Sequence, residues 1–383
     1  MRVLIVDDSA FMRKVIKEMI LSEGTIEVVG TARDGIEGVA KAIELKPDLI
    51  TMDIEMPRMN GIDALCEIMD KCKDRTPAVL MCSSLTIDGS VEALKAMSMG
   101  ASDFIAKDPQ VVGQNDPDFK RQLLAKIRAI GGERRRRING TPAIAIATEP
   151  TQKTAPAQST SPSGICTSFE DWTMPDNIDV VVIGSSTGGP PILEKIFSGL
   201  PSTLSVPIIV AQHMPELFTR SLAQRIDTHT ACRAQLAEHG TCLTIPRIYI
   251  AQGGKHIKPT RVAGKKIISR LIDEVDDALY KPSVDLLFSK IAELFGPRVL
   301  AIQLTGMGED GAIGAKKIHD QGGYVIAQNE ASCVVYGMPR AVVDNGSAQA
   351  IMSPEDIQKV LHCVSKPTSL GGTQEHQSGR MSA

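Results

Sequence analysis

Ser186 stands in Gly184-Ser185-Ser186-Thr187-Gly188, between an apolar run and a helix start marked by Pro190 and Pro191. This G-x-S-x-G spacing, in a strand–turn–helix setting, can present a serine hydroxyl as a nucleophile. The same residues approximate a phosphate-cradling loop, but serine replaces the glycine that lets a pyrophosphate approach the backbone. They also fit a plain turn with serine capping the helix. A serine nucleophile needs a base, and the base needs an acid to orient it. His213 in AQHMP and Asp310 in LTGMGEDGA each follow an apolar run that reads as a strand, so both can reach the edge that holds Ser186. His256 in GGKHI is a rival base, and Asp285 in PSVD a rival acid. The chain order Ser, His, Asp is not that of the α/β-hydrolases.

A second group lies near the start of the chain. Asp7 and Asp8, Asp53, Ser83 and Lys107 each end an apolar run. In a parallel sheet such ends share one edge, where ligands bind. Three converging carboxylates repel one another and favour a proton or a cation. Mg²⁺ suits them, as a hard ion held by a few carboxylates with water and phosphate oxygens. Asp53 can then act as a nucleophile and carry a phosphoryl group. Lys107 offers a compensating ammonium, and the Ser83 hydroxyl can donate to phosphoryl oxygens.

The elements that must position these residues alternate. RVLIVD, IEVVGTA, PDLITMDIEM, PAVLMCSS and ASDFIAK read as strands, with a helical pattern after each. Five β–α units predict a doubly wound parallel sheet. Proline, threonine, serine and alanine then break the pattern, which predicts a flexible linker. Order returns at NIDVVVIG and continues through VPIIVAQH, RIYIAQGG, VLAIQLTGM and GGYVIAQN, a second doubly wound α/β domain. The expected organisation is 1–132, a linker over 133–175, a catalytic domain over 176–365 and a disordered tail over 366–383.

The formal net charge of -3 argues against a nucleic-acid partner. ERRRRING, from Glu133 to Gly140, is the strongest basic cluster and reads first as a solvated helix end or linker. The start, MRVLIVDDSAF, meets two aspartates too early for a signal core, so no signal peptide is expected, and no apolar run approaches the length of a membrane span. The eight cysteines form no C-x-x-C pair and read as reduced thiols in a cytoplasmic protein.

VDDS, MDIEMPRMNG, CSS and FIAKD resemble the receiver domain of two-component response regulators. The resemblance implies Asp53 as phospho-acceptor, Asp7 and Asp8 as metal ligands, and Phe104 as an aromatic that shifts with Ser83. It also implies a cognate histidine kinase as phosphodonor. Receivers usually follow the lysine with proline; here Asp108 precedes Pro109.

IGSSTGGP, AQHMP, IYIAQGGKH, YKPSVDLLF, LTGMGEDGA and GMPRA, in that order, resemble the catalytic domain of the chemotaxis protein-glutamate methylesterases, the CheB family. The resemblance implies Ser186 as nucleophile, His213 as general base and Asp310 as its orienter. It implies the Met307 N–H in the oxyanion hole and Thr187 beside the nucleophile. The implied substrates are glutamate γ-methyl esters on chemoreceptors, together with receptor glutamines, which are deamidated. No cofactor is implied in the catalytic domain. Gln252 stands where proline is common, and Lys281 where arginine is common. The receiver is expected to cover the Ser186 edge until it is phosphorylated.

Overall fold

The computed structural model describes residues 1–107, 117–139, 165–175, 177–202, 204–273 and 279–364. The Asp108–Pro109 departure, most of the linker and the tail lie outside these residues.

The first unit carries five parallel strands in the order β2-β1-β3-β4-β5. These are β1 (Arg2–Val6), β2 (Glu27–Ala32), β3 (Leu49–Asp53), β4 (Ala78–Ser84) and β5 (Asp103–Lys107). β3 is buried throughout, as expected of a parallel strand covered on both faces. The helices are α1 (Ala10–Leu21), α2 (Gly35–Leu45), α3 (Gly61–Lys71), α4 (Ile87–Ser98) and α5 (Pro117–Asn139). Ser9, Asp34, Asn60 and Thr86 each accept an N–H from the first turn of the helix they precede. Such caps fix where the chain leaves each strand end and turns back.

The second unit has a seven-stranded parallel sheet in the order β14-β13-β12-β6-β7-β9-β8. Its strands are β6 (Val180–Ser185), β7 (Ile208–Gln212), β8 (Ala234–Ala237), β9 (Ile248–Ala251), β12 (Val299–Gln303), β13 (Tyr324–Gln328) and β14 (Ala350–Met352). β10 (His256–Arg261) and β11 (Ile267–Ile272) form a separate antiparallel pair. The helices are α6 (Gly189–Ser198), α7 (Glu216–His229), α8 (Val284–Phe295), α9 (Ala312–Asp320), α10 (Met338–Asp344) and α11 (Pro354–Val364).

Two features depart from the sequence expectation. α5 runs past residue 132 to Asn139, and its basic end is docked rather than free. Arg137 donates to the backbone oxygens of Glu330, at 3.0 Å, and Cys333 in the second unit. Glu133 is buried and pairs with Arg136. Arg137 thus finds acceptors that the linear sequence does not display, while Arg135 stays exposed, as a solvated helix end would be. Further on, Cys166 bridges in parallel to Ala350 at the sheet's edge strand, with Ile351 N–H donating to Cys166 O at 2.8 Å. This stretch, expected as linker, covers an otherwise open edge.

The cores join across the boundary. Ala93, Met97 and Phe104 of the first unit share a buried cluster with Met214, Phe218 and Leu222 of the second. Met307, Val334 and Val335 pack on the cluster of Phe119, Leu123 and Ile127.

Candidate active site

β6 ends at Ser185 and the chain turns over Ser186, Thr187 and Gly188 into α6. Gly188 has φ 78, a left-handed conformation that glycine adopts without strain. The turn is tied on every side. Ser186 N–H donates to Thr305 O at 3.0 Å, and Gly189 N–H to Ser186 O at 2.9 Å. Gln212 Nε2 donates to Ser186 O at 2.8 Å, while Gln212 Oε1 accepts from Ser185 Oγ. Thr305 Oγ1 donates to Thr187 O at 2.9 Å. Two of the turn's N–H groups are therefore already used, which argues against a phosphate cradle.

β6 pairs with β7, and Ser185 is the register partner of Gln212. Ser186 and His213 are the next residues on these two neighbouring strands, so they emerge side by side at the carboxyl edge. His213 N–H donates to Ser185 O at 3.1 Å. The His213 ring meets Asp310 through Nε2 at 2.8 Å. Its Nδ1 is buried without a hydrogen-bond partner. Gly306, in the loop after β12, presses against the nucleophile turn: a Cβ there would lie 2.8 Å from Ser186 Cβ. Met307 follows it.

Asp310 lies at the N-terminus of α8. It accepts from Val284 N–H at 2.8 Å, Asp285 N–H at 2.9 Å and Ser283 Oγ at 3.1 Å. Burial pushes its carboxyl up, but the His213 bond and charge and these backbone donors outweigh it and hold Asp310 below the ordinary value. It is a carboxylate held ionised against a histidine.

The side chains of the two rivals are engaged in other bonds. His256 is buried, and its Nδ1 accepts from Ser283 N–H at 3.3 Å; burial, then Lys281, lowers its pKa. The Asp285 carboxylate accepts Gly314 N–H of α9 at 2.7 Å. Burial pushes it up to about 6.

At the carboxyl edge of the first sheet, carboxylate oxygens of Asp7, Asp8 and Asp53 lie within 4.8 Å of one another. Lys107 Nζ is 2.6 Å from Asp53 and 3.4 Å from Asp7. Burial raises Asp53 to about 6, with Asp7 and Asp8 adding to it and Lys107 opposing. One ammonium does not balance three acids, so the site suits a divalent cation. The Ser83 hydroxyl is turned to Gly89 O, at 2.7 Å.

Phe104 faces the other unit and stacks on Phe218, with centroids 4.3 Å apart. Thr187 Oγ1 donates to Asp103 Oδ2 at 2.7 Å, and Lys126 pairs with the same carboxylate. The Oγ atoms of Ser90 and Ser221 lie 2.6 Å apart. The first unit therefore sits over the edge that carries Ser186. Asp103, Phe218, Gln212, Thr305 and Tyr280 carry no role that the sequence alone assigns. No spacing marks them, because their partners come from other strands or the other domain.

Residues 181–361 match the CheB methylesterase family, and residues 3–112 the response regulator receiver domain. The chain is 41% identical over 361 residues to the protein-glutamate methylesterase/protein-glutamine glutaminase of Thermotoga maritima, covering 94% of this chain and 97% of that protein. The chain belongs to the CheB methylesterase family. A second relative, protein-glutamate methylesterase/protein-glutamine glutaminase 1 of Oleidesulfovibrio alaskensis, is 40% identical over 95% of this chain and all (100%) of its own length. The crystal structure of the Thermotoga maritima CheB methylesterase catalytic domain matches at 38% identity and a TM-score of 0.47, over 49% of this chain and 98% of its own. The two domains expected from the sequence, receiver and CheB catalytic domain, are both present. No helix among the described residues is long and apolar enough to cross a membrane.

Proposed function

We propose that this CheB-family chain is a phosphorylation-activated serine esterase. It hydrolyses glutamate γ-methyl esters on chemoreceptors to glutamate and methanol, and deamidates receptor glutamines. The observation that carries the reading is the pairing of neighbouring strand ends: Ser186 and His213 emerge together, with Asp310 on the far nitrogen of the imidazole.

Ser186 Oγ attacks the ester carbonyl while its proton passes to His213 Nδ1. The Met307 N–H steadies the oxyanion; such a donor is worth about 3–4 kcal/mol. The C–O bond to the methoxy group breaks, and that oxygen takes the proton from His213 and leaves as methanol. Water then attacks the acyl-enzyme, giving its proton to His213, which returns it to Ser186 Oγ as the glutamate departs. A glutamine side chain follows the same path and releases ammonia. Asp310 stabilises the imidazolium that forms twice in the cycle.

The receiver supplies the control. Asp53 is the phospho-acceptor, and a cognate histidine kinase is the phosphodonor. Asp7, Asp8 and Asp53 would hold Mg²⁺, which neutralises phosphoryl charge when bound. Lys107 adds its ammonium, and Ser83 would turn from Gly89 to the phosphoryl oxygens. Phe104 sits on β5 beside Asp103, so a shift of that strand end would disturb both the Phe218 stack and the Thr187 bond. Uncovering the edge then admits the receptor segment.

Rapid quenching with a methyl-esterified receptor fragment, followed by mass spectrometry, tests the covalent step. An adduct on the peptide that carries Ser186 is expected, and methanol release with no such adduct at any time would rule the step out.

A further inference from the structure

The His213 ring has one hydrogen bond, from Nε2 to Asp310, and none at Nδ1. A single bond leaves an imidazole free to swing, because its outer torsion is broad. Proton transfer from Ser186 needs the ring in one plane. Something other than hydrogen bonding must hold it there.

Tyr280 lies flat on the imidazole. The ring centroids are 4.4 Å apart and the planes differ by 12°. The Tyr280 hydroxyl reaches toward the loop after β12, where a Cβ on Gly308 would lie 3.8 Å from it. Three residues on, Ser283 Oγ donates to Asp310 at 3.1 Å, and Val284 N–H donates at 2.8 Å. One short segment thus touches both members of the pair. The segment is anchored from beneath: Gly254 N–H donates to Lys281 O at 3.2 Å, and Ser283 N–H to His256 Nδ1 at 3.3 Å.

We infer that Tyr280 is a positioning residue for the esterase reaction, fixing the plane of the His213 ring so that Nδ1 is presented to Ser186. The inference rests on the reading of His213 as base. Stacking needs the ring and not the hydroxyl. Tyr280→Phe therefore keeps the function, and Tyr280→Ala loses it. Leucine restores apolar volume without a flat face, so Tyr280→Leu behaves as the alanine variant does.

The test is steady-state methanol release by the full chain from methyl-esterified receptor membranes, read as separate kcat and KM. Tyr280→Ala and Tyr280→Leu lower kcat by about 10- to 100-fold with KM little changed, the scale expected for a misplaced reacting group. Tyr280→Phe stays within about twofold of wild type, since it keeps the stacking face. In proton NMR the His213 ring signals carry the ring-current shift of a stacked neighbour in wild type and Tyr280→Phe, and lose it in the other two. Unchanged kcat in folded Tyr280→Leu overturns the inference. So does a rise in KM alone, which would make Tyr280 a receptor contact. A phenylalanine variant as poor as alanine would assign the role to the hydroxyl instead. His213→Ala separates the two levels: if it retains turnover, the base is misassigned; if it is inactive while Tyr280→Leu is not, only the positioning role fails.

Discussion

The Thr187 hydroxyl donates to the Asp103 carboxylate at 2.7 Å across the domain boundary. The residue next to Ser186 is thus held by the receiver strand that carries Phe104. A hydrogen bond to a charged group contributes about 1.5–3 kcal/mol, and 1.4 kcal/mol is a factor of ten. Asp103→Asn is expected to raise methanol release without phosphodonor by roughly 10-fold, the low end of that range. Phe218→Ala, which removes the stack from the other side, should act in the same direction. Two folded variants with unchanged basal release would show that the contact does not restrain the enzyme.

Asp310 and Asp285 bind each other's helices. Asp310 accepts the first N–H groups of α8, and Asp285 accepts Gly314 N–H of α9. Both Asp310 oxygens already meet backbone donors, so an amide in its place must set an NH₂ against an N–H. Asp310→Asn also turns a donor toward His213 Nε2, which favours the tautomer with its proton on Nδ1, facing the wrong way. A loss in kcat of about 10⁴ is expected, as for the corresponding change in trypsin-like triads. A loss under tenfold would remove Asp310 from the proposed triad.

Asp285 makes the stability depend on pH. Burial raises its folded value from 3.8 to about 6, so the fold binds this proton more tightly than the unfolded chain does. Its contribution is largest below 3.8 and is lost as pH rises through about 6. Asparagine cannot titrate but can still accept the Gly314 N–H. Urea unfolding at about pH 4 and about pH 7 should show wild type losing stability relative to Asp285→Asn, by up to roughly 3 kcal/mol. A constant difference would mean that Asp285 titrates alike in both states.

Much of this was legible because strand ends are. Asp7, Asp53 and Lys107 close runs of buried β residues, and the parallel sheet brings such ends together. Ser186 and His213 each stand one residue past a strand, and Asp310 stands further on, in the loop after β12. β8 and β14, with four and three residues, are too short to show a period, and Pro259 masks β10. Arg137 reads as solvated because its acceptors, Glu330 O and Cys333 O, lie almost two hundred positions on. Phe104 was named as a moving aromatic, but Phe218 was not, since interdomain stacking leaves no local pattern. Tyr280 is an aromatic in a loop, and only the fold puts it on His213.

Phosphorylation should act only through the acidic site. Asp53→Ala is expected to keep basal methanol release and lose its response to a phosphodonor. Chelating Mg²⁺ should do the same to wild type, because the cation serves phosphoryl transfer and not ester hydrolysis. Chelation that abolished basal release would place the metal requirement in the wrong domain.

The most direct test is methanol release from methyl-esterified receptor membranes by wild type and Ser186→Ala, each with and without phosphodonor and Mg²⁺. One to three charge-assisted hydrogen bonds from a new phosphoryl group supply a few kcal/mol, short of the roughly 5.5 kcal/mol of a complete switch. Release that requires Ser186 and rises about 10- to 100-fold with phosphodonor is therefore predicted. Release by folded Ser186→Ala equal to that of wild type would contradict the account.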